Sequence, residues 1–129
     1  MKHLESPNFD KTIRHIISIP FIYSVGVSLI FMHICLEIYH QIAFRLYGIE
    51  RLDSRKYIKI DRHKLSKLSL IQKINCVYCG YANGLLPYAT AISAETEKYW
   101  CGIKHNVNKN SKYIEPEHHK NFIEYDKYR

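Results

Sequence analysis

Four cysteines and eight histidines stand among the 129 residues, and their spacing is uneven. Cys76 and Cys79 form a C-x-x-C pair, and Cys101 and His105, further along, form a C-x-x-x-H pair. Two thiolates on a tight turn with a Cys/His pair beyond them are the ligand types and local spacings of a four-coordinate zinc site. Iron is the other metal such donors take. In a reducing compartment stable disulfides are disfavoured, so metal binding or thiol redox chemistry is the default for the C-x-x-C pair. Cys35 stands apart in an apolar run, where a free cysteine is a small apolar residue.

A second constellation is His33, Glu37 and His40, spaced i, i+4, i+7 and so on one helical face. Ionisable groups in or at the end of a membrane span are costly and face protein, water or a metal. Glu37-x-x-His40 also has the i, i+3 spacing that carboxylate-bridged bundles use, although such sites draw on several helices. The plainer alternative is that Glu37 and His40 mark a membrane interface. Asp61 and His63 are possible additional ligands or else solvated linker residues. No G-x-S-x-G, P-loop or dinucleotide fingerprint occurs. Glu95 and Glu97 fall on different sides of a helix and read as solvated surface.

The elements that must position these groups begin with a membrane segment. All 19 + 12 = 31 charged residues avoid the window Ile16 to Leu36, IISIPFIYSVGVSLIFMHICL. Its 21 residues match the ~20 that a helix needs to cross the hydrocarbon core. A long helix buried in a complex is the alternative; a cleaved signal peptide would be shorter and followed by a small-residue site. Apolar residues continue to Tyr47, and Gly48 is a natural stop. Lys2, Lys11 and Arg14 precede the window, whereas nine Lys and Arg lie between Glu37 and Asn75 against four acids, a collar of 9 − 4 = +5 within the net +7. Such asymmetry places the N-terminus outside and the C-terminus in the cytoplasm at the cell (inner) membrane. Residues 45–73 then face anionic headgroups. No aromatic-interleaved basic motif calls for a nucleic acid.

The fold class expected is mainly α: one N-terminal transmembrane helix, a small helical-hairpin Cys/His domain and a flexible C-terminal tail. The divisions are 1–15 N-terminal tail, 16–47 membrane helix and interfacial extension, 48–63 basic linker, 64–105 Cys/His mini-domain and 106–129 polar tail. Within the mini-domain, Leu65, Leu68, Ile71 and Ile74 predict a short helix over 64–75, and a second helix runs from Leu85–Pro87 to Trp100. A helix starting at Pro87 is ~21 Å long and the connection before it reaches ~24 Å, so one site of Cys76, Cys79, Cys101 and His105 is feasible but tight. An antiparallel hairpin gives two half-sites instead, with Cys101 and His105 near Asp61 and His63. The soluble part is too short for a TIM barrel or Rossmann pair, and a domain this small needs a metal, staple or partner.

In KINCVYCGYANG, TEKYWCGIKH, LEIYH and IKIDRHKL the chain resembles an uncharacterised family of small bacterial membrane proteins with the same order of motifs, over roughly Pro20 to His105. The resemblance implies that anchor and Cys/His region act as one unit; it implies no activity. Cys76-Val-Tyr-Cys79-Gly-Tyr is also similar to one knuckle of rubredoxin, with Cys101 and His105 in place of a second. Three functions follow: a single-pass membrane protein whose cytoplasmic Cys/His domain binds zinc or iron, a membrane-tethered thiol redox protein, and a non-catalytic accessory subunit of a larger membrane complex. A homodimer would bring two His33–Glu37–His40 stripes together.

Overall fold

The computed structural model describes residues 9–129, with side chains from Asp10 onward. Lys2 and the rest of the first eight residues of the N-terminal tail lie outside the described residues. Helix α1 spans Phe9–Tyr47, 39 residues or about 58 Å at ~1.5 Å each. Asp10 in the first turn and Arg45 in the last complement the helix dipole, and Gly48, at φ +69°, ends it. Pro20 therefore lies three turns inside the helix and not in its first turn, and it leaves the Ile16 carbonyl without an amide partner. By length and composition α1 is long and apolar enough to cross a membrane.

Helix α2 spans Leu70–Trp100, 31 residues. Ser69 caps it: its hydroxyl accepts from the Gln72 amide at 3.3 Å while the Gln72 side chain accepts from the Ser69 amide at 2.9 Å. The sequence predicts two helices, over 64–75 and from Leu85–Pro87 to Trp100, with the segment CVYCGYANG turning between them; the structure has one, starting at Leu70 and running through that segment and Pro87. An interior proline costs ~3 kcal/mol. Leu85, Tyr88 and Ile92, at most 1% exposed, bury side chains on both sides of it, at about 1.5–3 kcal/mol each. Tertiary packing thus outweighs the local break.

The two helices run parallel. Tyr23 bonds Asn75, His33 meets Tyr81, Tyr88 bonds Glu37, and Trp100 bonds Tyr47, so both numbers rise together. A parallel pair needs a connection that travels back along the helices, and residues 49–69 supply it, touching both α1 and α2. Gly84 permits the contact: a Cβ there would stand 2.6 Å from Ile58 Cα and 2.8 Å from the Tyr57 carbonyl oxygen. At Gly80 it would stand 3.1 Å from the Lys59 carbonyl. The core of Leu29, Leu36, Phe44, Leu85, Tyr88 and Ile92 sits between α1 and α2, closed by Leu52, Tyr57 and Ile58 of the returning chain.

This arrangement leaves one face of α1 uncovered. Ile17, Val27, Phe31, Ile34, Ile38 and Ile42 point outward from α1 and are exposed. Lys59, Arg62, Lys64 and Lys67 of the returning chain are exposed beside the N-terminal half of α2, where Leu70, Ile71 and Ile74 are exposed as well. Residues 48–63, expected as a linker leading away from the helix, instead fold back level with its charge-free window.

The expected flexible tail is also folded back. Ile103 bridges Ile123: the Ile123 amide donates to the Gly102 carbonyl and the Lys104 amide to the Ile123 carbonyl, each at 2.9 Å. A 3-10 turn over Glu117–Asn121 then lies against α2, with His119 and Phe122 buried. A polar tail needs only these two anchors and the adjoining β-bridge to dock.

Candidate functional site: a Glu–His–His cluster and a polar seam

At the C-terminal end of α2, Glu97 receives both histidines of the docked tail. His118 Nε2 lies 2.9 Å from Glu97 Oε2 and His119 Nε2 lies 3.0 Å from Oε1. Candidate ligand atoms of the three residues all fall within 4.8 Å of one another. Burial pushes the Glu97 carboxyl up, but the hydrogen bonds and charges of His118 and His119 outweigh it and hold Glu97 below its ordinary value. An ionised carboxylate only accepts, so both Nε2 atoms carry the protons. His119 Nδ1 is buried without a hydrogen-bond partner. The His119 ring stacks on Phe122, centroids 4.8 Å apart, and the His105 ring stands 5.5 Å away.

The donor set suits a metal ion. Two ligands of one ion at ~2.0–2.1 Å lie about 2.9–3.4 Å from each other, and the His–Glu separations already approach that. Two imidazoles and a carboxylate are the donors of open zinc sites and of non-haem Fe(II) sites. A divalent cation would take the place of the two shared protons, drawing together ligand atoms that now lie within 4.8 Å of one another.

The four ligands predicted from the sequence do not come together. Cys76 and Cys79 lie in the second and third turns of α2, and Cys101 caps its other end. Cys79 and Cys101 are thus separated by 22 × ~1.5 Å, about 33 Å of continuous helix. Only Cys101 and His105 fall at the end where the cluster forms. All four cysteines are free. Because Cys76 is the seventh residue of α2, the thiol pair also lacks the helix N-terminus that would favour its thiolates. Asp61 pairs with Lys59 at 3.7 Å, and the turn holding His63 packs beside Gly80, far from His105.

His33, Glu37 and His40 do converge, and α2 adds two tyrosines. Tyr81 Oη lies 2.7 Å from His33 Nδ1. The Tyr88 hydroxyl donates to Glu37 Oε1 at 2.6 Å. The Leu52 amide donates to His40 Nε2 at 3.0 Å, which leaves the neutral ring's proton on Nδ1, directed to Tyr88 Oη at 3.2 Å. Burial and the Glu37 hydrogen bond hold the Tyr88 phenol well above its ordinary range. His33 Nε2 and His40 Nδ1 lie 3.9 and 3.8 Å from the Glu37 carboxylate, so one carboxylate gathers the whole seam.

Sequence reasoning missed Glu97, His118 and His119 because the first looked like solvated surface and the others stood in an apparently mobile tail. The signal was the His-His doublet of EPEHHKNF, three residues before the apolar pair Phe122-Ile123 that anchors it. No protein-family model, curated protein or solved structure matches this chain.

Proposed function

We infer that the protein is a membrane-bound metal-binding protein, with zinc or iron held by Glu97, His118 and His119 and His105 beside them. The observation that carries this reading is the convergence of a carboxylate and two imidazoles from segments 21 residues apart, next to a buried nitrogen with no partner. The ion would tie the tail to α2 and add folding free energy to a small core. Elemental analysis of the full chain in mild detergent tests it. About one equivalent of zinc or iron is expected, lost in Glu97→Gln and in His118→Ala with His119→Ala, and retained in Cys76→Ser with Cys79→Ser. Less than half an equivalent, or content indifferent to the triad, sinks the reading.

The membrane contact belongs to the outward face of α1. A bilayer closed around the whole folded chain would hold Lys59, Arg62, Lys64 and Lys67 at the depth of the window, at about 2.5–3.5 kcal/mol per charge near the helix centre. A helix lying in the interface plane, apolar face down and basic side to water, avoids that cost. The charge collar after the window favours a second reading, a single pass with N-terminus outside and C-terminus cytoplasmic. Reporter fusions at both termini separate the two: the in-plane arrangement puts both reporters on one side, the single pass on opposite sides.

A further inference from the structure

The polar seam opens onto a cleft of about 480 Å³ between α1 and the returning chain, within the usual range of small-molecule sites. Residues of both charges line it: Arg51 and Arg55, Glu37 and Asp53, with Ser54 between. Among the described residues no arginine–carboxylate ion pair joins these groups. The Arg51 guanidinium donates to the Gln41 amide oxygen. Asp53 accepts from the Arg55 backbone amide at 3.0 Å and so keeps its second oxygen free. Glu37 is fixed by Tyr88 and remains about one-third exposed to the cleft.

We propose that this cleft binds a zwitterion of the phosphoethanolamine kind, with its oxyanion on Arg51 and Arg55 and its ammonium between Glu37 and Asp53. Guanidinium forks match a phosphate in a bidentate fashion, and an ammonium with three N–H donors suits two carboxylates that only accept. The cleft also sits where the molecule changes character. Ile30, Ile34, Glu37 and Gln41 follow at i, i+4, i+7 and i+11, so one stripe of α1 runs from exposed isoleucines straight into it. An acyl chain on Ile30 and Ile34 places a headgroup among the charges, which makes a phospholipid the natural source. That source rests on the membrane reading above; the zwitterion chemistry does not.

The test uses the full chain in two arms. In the first, the thermal midpoint in mild detergent is followed as phosphoethanolamine is added, for the parent and for Arg51→Gln with Arg55→Gln, each shift read from that protein's own ligand-free midpoint. In the second, binding is measured to vesicles of phosphatidylcholine alone, and with phosphatidylethanolamine or phosphatidylglycerol added. A midpoint raised by free phosphoethanolamine in the parent but not in the double variant supports the site with the free zwitterion as ligand. At least tenfold tighter binding to the phosphatidylethanolamine vesicles than to the other two, lost in the double variant and in Asp53→Asn, supports it with the lipid. Failure to bind any vesicle removes the membrane reading, and the first arm still decides the cleft. Equal binding to all vesicles, or preference for phosphatidylglycerol, with no midpoint shift in the first arm overturns the proposal.

Discussion

Replacing Gly84 with alanine tests the feature that organises everything else, the return of residues 49–69 along α2. The added Cβ would stand 2.6 Å from Ile58 Cα and 2.8 Å from the Tyr57 carbonyl oxygen. Ordinary contact begins near 3.4 Å, so the chain must retreat by somewhat less than 1 Å, and both obstacles are backbone with no rotamer to turn aside. Overpacking of this kind costs about 1–3 kcal/mol. Alanine is the better helix former by about 0.5–1 kcal/mol, so the net loss is up to about 2.5 kcal/mol. At roughly 4 °C per kcal/mol for a chain of this size, the midpoint falls by up to about 10 °C in thermal unfolding followed by circular dichroism in mild detergent. Gly26→Ala is the comparison: its Cβ would meet only the Tyr78 ring edge at 2.6 Å, a side chain that can swing, so its loss is smaller. A Gly84→Ala protein more stable than the parent by the full helix-propensity gain would mean that the returning chain does not lie on α2, and the cleft would go with it.

Other outcomes follow from single residues. In metal-free protein, Glu97 titrates below its ordinary value when folded, so its contribution is complete above about pH 4.5 and is lost as pH falls through its folded value; acid titration of the midpoint should show this dependence weakened in Glu97→Gln. Phe44→Ala removes a fully buried ring and costs about 3–5 kcal/mol, read as a denaturant midpoint shift with unchanged slope. Tyr88→Phe deletes a hydroxyl that bonds a carboxylate and a buried imidazole, a loss of about 1.5–3 kcal/mol without effect on metal content. Loading zinc into metal-free protein should slow proteolysis within residues 106–129, and Glu97→Gln should abolish that protection.

The stop of α1 was legible because it depends on a local quantity, a glycine at Gly48 free to adopt positive φ; its start was not, because the charge-free window from Ile16 bounds an apolar run and α1 already begins at Phe9, within the expected 1–15 tail. The His33–Glu37–His40 face was legible on equally local grounds, being fixed by helical spacing alone. Pro87 and the Gly-rich CVYCGYANG pointed to a turn, and local propensity does favour one there. What the sequence could not show is that Gly80 and Gly84 serve a neighbouring chain and not a bend, and that Tyr88 and Ile92 hold the helix straight through the proline by packing on α1. The same cause hid the cluster, because Glu97 meets His118 and His119 only after the tail has turned back.

The parallel pairing also sets an order of events during synthesis. Tyr47, the last residue of α1, is made 100 − 47 = 53 residues before Trp100 completes α2. At ~5–20 residues per second that is roughly 3–10 s. Throughout that interval α1 has neither its partner helix nor the returning chain to cover His33, Glu37 and His40, and its apolar faces are open all round. Whatever meets α1 first, a bilayer or its own later segments, therefore competes for the same surface, and slowing or hastening translation between residues 48 and 100 should shift the division of chains between membrane-inserted and folded forms.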